Sequence, residues 1–316
     1  MKTVFMFSGQ GSQYYQMAKP LFEGHRAFRK HMEALDEVVA DVIGRSVIRE
    51  LYRSDRTISE PMDDISLSHP AIVMVEYALA RTLIDEGIAP DLLLCASLGT
   101  FTGAAVAGCM RVEDVLVTAM TQASLIEQHC EPGAMIAVFS DPRLQRSDSL
   151  LRECSELAGI NSSEHFVLSS TESAATRIQA RLNELDVAHH RLPVRFGFHS
   201  RWIETVGPPF REYLSTLDYA DCELPIACCR YAERLLRLED EYLWQVTRGP
   251  IKLQETLQLL EAQPAQYIDV GPGGTLAACG KRITGDTSTS RFRSIVTPFA
   301  RDLQNFAAVK ESASRS

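Results

Sequence analysis

The stretch "DLLLCASLGTFTG", Asp91 to Gly103, runs an apolar strand, Leu92-Leu93-Leu94-Cys95, straight into Ser97 and turns on Gly99 toward the small-residue run "GAAVAG". A serine at a sharp strand-to-helix turn exposes its hydroxyl and aims the next amide at a developing oxyanion. It also lies at the positive end of a helix dipole. The pattern predicts a nucleophile elbow. A serine that merely caps a helix is the plain alternative, and the rest of the chain decides between the two.

Around this elbow the sequence alternates strands and helices. "TVFMF", Thr3 to Phe7, reads as a buried strand that empties into the glycine-rich loop "SGQGSQ", and a strand followed by such a loop is a place for ligands. "LSHPAIVMVEYALARTLIDEG" predicts a helix with Ser68 as N-cap and Pro70 in its first turn, stopping at Gly87. "RVEDVLVTAMTQASLIEQH" predicts a second helix, ended by Pro132 and Gly133.

The middle of the chain changes character. "AMIAVF", a helical "SDSLLRECSELA", "GINSS", "HFVLSS", a helical "ESAATRIQARLNEL" and "AHHRLPV" give the order β-α-β-β-α-β, the split βαβ pattern of a ferredoxin-like unit. The expected fold is therefore α/β. A ferredoxin-like subdomain over residues 131–198 is inserted into a larger domain built from 1–130 and 199–316. The closing "KESASRS" reads as a frayed tail.

Composition excludes several classes of function. The chain has 316 residues, 45% hydrophobic and 23% charged, with a net charge of -9, which argues against a general nucleic-acid binder. "MKTVFMFSGQGSQ" holds too short an apolar run for a signal-peptide core, and no run approaches a membrane span. The eight cysteines show no CxxC spacing. They read as reduced, buried thiols of a cytoplasmic protein rather than as a disulfide framework or zinc site. His189 and His190 have no carboxylate or thiolate at ligand spacing, so a surface or core role is expected of them and no metal.

The chain resembles the malonyl-CoA:acyl carrier protein transacylase family, which includes polyketide synthase acyltransferases. Five segments carry the likeness in the family's order: Gly9-Gln10-Gly11-Ser12-Gln13, His69-Pro70-Ala71 for a "QPA" segment, Cys95-Ala96-Ser97-Leu98-Gly99 for "GHSLG", Gly197-Phe198-His199-Ser200 for "AFHS", and Gly271-Pro272-Gly273. An asparagine of the small subdomain corresponds to Asn161. The resemblance implies an α/β-hydrolase-like large domain with a ferredoxin-like insert. It also implies a serine nucleophile, Ser97, with His199 as its base and an acyl-serine intermediate. The oxyanion hole would come from the backbone amides of Gln10 and Leu98. The carbonyl of Gly249, just before Pro250, would orient the histidine.

Departures from the family pattern bear on the substrate. Malonyl-accepting members carry an arginine 25 residues after the serine; counting on from Ser97 reaches Gln122. A malonyl carboxylate would there be desolvated without its bidentate partner, whereas Gln122 could hydrogen-bond a neutral acyl group. Ala96 replaces the histidine that usually precedes the serine, which makes the pocket less polar, and Phe198 flanks the base. His69 replaces a glutamine and either places a second imidazole near the cleft or serves a structural role in the helix.

This combination resembles the acyltransferase-like acyl hydrolases of trans-acyltransferase polyketide synthase pathways, which remove stalled short acyl groups from carrier proteins as proofreading. The resemblance implies no cofactor of the protein's own, the substrate being carried on phosphopantetheine. It implies acyl carrier protein domains as partners and docking of acidic carriers at Lys281, Arg282 and Arg201. The sequence shows no obvious long apolar surface stripe, which makes a monomer the default. Hydrolysis by water, transfer to a second thiol and a catalytically silent carrier-binding role remain as three readings.

Overall fold

The computed structural model describes residues 1–313. A six-stranded sheet organises the large domain. Its strands are β1 (Lys2–Phe7), β2 (Leu92–Cys95), β7 (Asp221–Cys228), β8 (Glu233–Arg237), β10 (Ala265–Asp269) and β11 (Arg291–Ser294), in the order β11-β10-β1-β2-β7-β8. All neighbours pair in parallel except β7 with β8, a hairpin at the sheet edge.

Central parallel strands are covered on both faces and so read as continuous apolar runs. The period of two then sorts them: Phe5, Phe7, Leu93 and Cys95 face the larger core, with the helices Arg26–Ile43, Ile65–Asp85 and Val112–His129. Val4, Met6, Leu92 and Leu94 face a second core with Leu253, Leu257 and Leu276.

The second sheet consists of β3 (Gly133–Val138), β4 (Glu156–Ser162), β5 (His165–Thr171), β6 (His189–Arg191) and β9 (Ile251–Lys252), ordered β6-β3-β5-β4-β9. The first four strands pair antiparallel and give the ferredoxin-like arrangement. β9 joins β4 in parallel from outside residues 131–198. Ile136, Val138, Phe166 and Leu168 point into a small core with Ala175, Ile178 and Leu182 of the helix Glu172–Glu184. Alternate residues Met135, Ala137 and Val167 therefore emerge on the opposite face, where they help line a cleft of about 340 Å³ between the two sheets.

Register fixes what meets at the cleft. Phe7 pairs with Cys95, so β1 and β2 end level and the loop from Ser8 to Ser12 lies directly beside Ser97. The carboxyl ends of parallel strands are where open α/β sheets bind their ligands.

Four expectations need correction. The helix around His69 begins at Ile65, capped by Asp64, whose side chain accepts from Ser66 N–H at 2.9 Å. Ser68 and Pro70 thus lie inside the helix. Glu156 to Ala158 belong to β4 instead of a helix, because the preceding helix Ser149–Cys154 stops at Ser155 and Leu157 pairs with Leu168. Cys109 and Cys222, 113 residues apart in sequence, are joined by a disulfide; the other six cysteines are free. The closing segment is helical through Ala313 in Asp302–Ala313, with Lys310 bonded to Glu86; Ser314 to Ser316 lie outside the described residues. Among the described residues no helix is long and apolar enough to cross a membrane.

Candidate active site

Ser97 sits at φ 55°, the left-handed region that non-glycine residues rarely occupy. The turn is closed by Ala96 N–H donating to Phe7 O at 3.0 Å and Gly99 N–H donating to Ala96 O at 3.0 Å. Only glycine fits behind it. A Cβ on Gly99 would lie 2.3 Å from Phe7 O, and one on Gly103 would lie 2.2 Å from Cys95 Sγ. The small-residue helix Gly99–Val106 is thus what lets the elbow pack against its own strand.

His199 reaches Ser97 from a separate segment. It also has positive φ, 59°, and its backbone N–H donates to Thr247 O at 3.1 Å. Its Nδ1 is 2.8 Å from Gly249 O. A carbonyl only accepts, so Nδ1 carries the hydrogen and Nε2 presents its lone pair. Nε2 lies 2.8 Å from Ser97 Oγ, within the range for a base taking the hydroxyl proton. The ring is 3% exposed. Burial, with a contribution from the charge of Arg230, lowers its pKa from 6.5 to about 4, so it is neutral and able to accept a proton at physiological pH.

The glycine-rich loop forms the facing wall. A Cβ on Gly9 would lie 2.5 Å from Ser97 Cβ and 2.9 Å from its Oγ, so this glycine makes room for the serine itself. The side chain of Gln10 is turned aside, Nε2 donating to Ser68 Oγ at 3.0 Å. Gln13 pins the loop through Gly11 N–H, Met62 O and Pro193 O. The amides of Gln10 and Leu98 stand on the loop and the elbow that flank Ser97, and among the described residues neither donates to a backbone carbonyl outside the helices and strands. Preorganised amides of this kind stabilise an oxyanion without reorganising as the charge develops.

The remaining expected residues divide. Ala96, Phe198 and Asn161 line the cleft. Asn161 Nδ2 lies 3.5 Å from Nε2 of His165, whose ring stacks on Phe139 at 4.8 Å. Gln122 does not line it: the side chain is 2% exposed and its Nε2 donates to Thr247 Oγ1 at 2.7 Å. Its amide therefore braces the segment whose carbonyl holds the His199 backbone. His69 is set behind Phe198, with ring centroids 5.8 Å apart and Nδ1 3.4 Å from Ala119 O. Burial lowers its pKa to about 4, and it too is absent from the lining.

The three expected docking cations form no single patch. Arg201 is ion-paired to Glu156 at 2.9 Å, at the first residue of β4, and stacks on Trp202. Arg282 borders a depression with Ser163 and Glu164, past the other end of that strand, roughly 20 Å away for a strand of this length. Lys281 precedes it in the exposed last turn of the helix Thr275–Thr284.

Several site residues escaped sequence reasoning. His190 and His165 line the cleft. Arg230 packs so closely on Gly249 that a Cβ there would fall 1.9 Å from its Nε, which also donates to Gln245 O at 3.1 Å. Thr247 joins Gln122 to His199. The alternation in "AHHRLPV" places His190 on one sheet face, the one signal that could have found it; the other contacts are long-range. Among the described residues no group of His, Cys, Asp or Glu is arranged to hold a metal.

The family model described as "Acyl transferase domain" matches residues 4–315. Over 310 residues the chain is 40% identical to "Polyketide biosynthesis acyltransferase homolog BaeD" of Bacillus velezensis, covering 98% of this chain and 96% of that protein. It is 39% identical over 308 residues to the homolog PksD of Bacillus subtilis, covering 97% and 95%. Among solved structures, a loading acyltransferase from the avermectin modular polyketide synthase matches with TM-score 0.87 at 21% identity, covering 99% of this chain and 100% of that one. The malonyl-CoA:acyl carrier protein transacylase of Xanthomonas oryzae pv. oryzae matches with TM-score 0.84 at 22% identity, covering 99% of each. With the serine elbow, the level ends of β1 and β2 and the ferredoxin-like second sheet already in place, these matches make the chain a member of the acyl transferase domain family.

Proposed function

We propose that the protein hydrolyses short, uncharged acyl thioesters carried on the phosphopantetheine of acyl carrier proteins, as a proofreading step in polyketide biosynthesis in the cytoplasm. Ser97 Oγ attacks the thioester carbonyl while its proton passes to His199 Nε2. The carbonyl oxygen takes the charge opposite the amides of Gln10 and Leu98. The C–S bond breaks, the thiol leaves with the proton from His199, and the acyl group remains on Ser97. Water then attacks the ester as His199 accepts its proton. The acid departs and Ser97 is reprotonated.

One observation carries the substrate class: among the described residues the side chains lining the cleft include no arginine or lysine. A carboxylate entering it would lose its hydration with no cation to replace it, at a cost of several kcal/mol. Apolar Met135, Ala137, Val167, Leu192 and Leu276 in the lining suit an alkyl chain instead. Kinship to polyketide biosynthesis acyltransferase homologs supports carrier proteins as partners.

The second reading is transfer of the same uncharged acyl groups to another carrier thiol, favoured by the word "acyltransferase" in those relatives' names. Incubation with acetyl-, butyryl- and malonyl-carrier protein, with and without an empty second carrier, followed by intact-mass measurement, separates the two. Free acid from acetyl or butyryl but not malonyl supports hydrolysis. Acyl groups on the second carrier establish transfer, and turnover of malonyl contradicts the cleft argument.

A further inference from the structure

One buried acid plays no part in the chemistry above. Glu76 lies in the middle of the helix Ile65–Asp85 with 0% exposure, in an apolar run of sequence from Val73 to Ala80, and faces Ser8, Thr102 and Asp269. Helix propensity does not require it there, and an uncompensated carboxyl in a core is costly.

Its Oε1 accepts the backbone N–H of Ser8 at 2.7 Å and the hydroxyl of Ser8 at 3.0 Å. Ser8 Oγ is 3.1 Å from Ser12 Oγ, and the Ser12 hydroxyl donates to Gly9 O at 2.8 Å. Gly9 abuts Ser97, and the next amide is that of Gln10. On the other flank Gly271 packs so closely that a Cβ there would lie 2.1 Å from Ser8 Oγ and 3.0 Å from Glu76 Oε1. Gly271 is itself held by its N–H donating to Asp269 Oδ1 at 3.0 Å. The first residue of the loop is thus clamped between one carboxyl and one glycine.

We propose that Glu76 is a positioning residue for the Gln10 amide, acting through Ser8 to hold the Ser8–Ser12 loop at the distance from Ser97 that an oxyanion requires. The inference rests on the serine mechanism proposed above and names a residue that mechanism leaves out. Burial raises the pKa of Glu76 from 4.5 to about 8, so at neutral pH it is a neutral acid whose carbonyl oxygen accepts from Ser8. A glutamine would reproduce that acceptor, whereas a methionine of similar length would not. Ser8 N–H would then be buried without a partner and the loop free to relax.

The test is the turnover of acetyl-carrier protein by Glu76→Met, Glu76→Gln and Ser97→Ala, with melting temperatures measured alongside. Glu76→Met is expected to lower kcat on the order of 100-fold, the effect of losing one oxyanion donor, with KM changed less than about threefold. Glu76→Gln is expected to recover most of that loss. A folded Glu76→Met with kcat near wild type overturns the positioning role, as does a Glu76→Gln no better than Met. If Glu76→Met does not fold, Ser8→Ala, which removes one of the two bonds, decides by the same split: an unchanged kcat overturns the role. Retained turnover in Ser97→Ala refutes the serine mechanism itself, a separate failure.

Discussion

The Nδ1 of His199 is held by the carbonyl of Gly249 at 2.8 Å, a neutral acceptor where many serine hydrolases use a carboxylate. The imidazole is therefore oriented without an adjacent anion to raise its basicity. Burial dominates and brings its pKa down to about 4. The acid limb of kcat/KM is expected near that value, with activity retained at pH 5. Because the folded pKa lies below the unfolded one, the same group costs stability as pH falls from about 6.5 toward 4. A pH–rate profile checks the first point, and a limb near 6.5 would contradict it.

Gly9 presses on Ser97, and a Cβ there would come within 2.5 Å of its Cβ. Gly9→Ala is expected to displace either the loop or the serine and to lower kcat by at least about 100-fold, the scale of a lost oxyanion donor. Circular dichroism should stay native, since the loop lies at the cleft. Thioester turnover near wild type would contradict the close approach.

Gln122 braces Thr247 instead of facing the cleft. Gln122→Leu removes the donor and leaves Thr247 Oγ1 with its bond to Leu243 O alone. A loss of about 1–2 kcal/mol in stability is expected, with kcat lowered several-fold through His199. Gln122→Arg introduces a cation beside the same segment. Because that charge would be buried away from the cleft, the melting temperature is expected to fall, with no gain in malonyl turnover relative to acetyl. Competition between acetyl- and malonyl-carrier protein reads the outcome, and a gain for malonyl would contradict the placement of Gln122 against Thr247 rather than at the cleft.

Two carboxyls behind the catalytic loop are pushed upward by burial, Glu76 to about 8 and Asp269 to about 7. Their folded values exceed the unfolded ones, so their contribution is fully present below about pH 4 and is lost as pH rises through 7 and 8. Denaturant titrations from pH 6 to 9 are expected to show stability falling by a few kcal/mol. Glu76→Gln should flatten part of that slope. A pH-independent wild type would contradict it.

The Cys109–Cys222 disulfide closes a 113-residue separation. Alkylation without reductant is expected to leave those two cysteines unmodified after unfolding, and reduction should cost about 2–5 kcal/mol. Modification of both before reduction would show them as thiols.

Local features were legible in the sequence. The apolar runs of β1 and β2, the elbow at Ser97 and the β-α-β-β-α-β order are written in short-range patterns, and motif resemblance supplied His199 and Gly249. Other features depend on distant packing. Asp64 out-competes Ser68 as cap because its carboxylate reaches Ser66 N–H, which turns Ser68 inward to hold Gln10. Gln122 and His69 lie on the two helices expected of them, but they contact Thr247 and Phe198 and are not in the cleft lining. Cysteine spacing carries no information on pairing between a turn and a strand 113 residues on, so the bridge from Cys109 to Cys222 left no local mark. Glu76 reads as an odd charge in an apolar helix until β1 is laid beside it.

The central claim is that Ser97 carries the acyl group. Acetyl-carrier protein mixed with the enzyme, quenched in acid within the first turnover and digested, should yield an acetylated peptide containing Ser97, absent in Ser97→Ala and decaying to free acetate in the wild type. Turnover by Ser97→Ala at the wild-type rate, or an adduct mapped to another residue, would contradict the account.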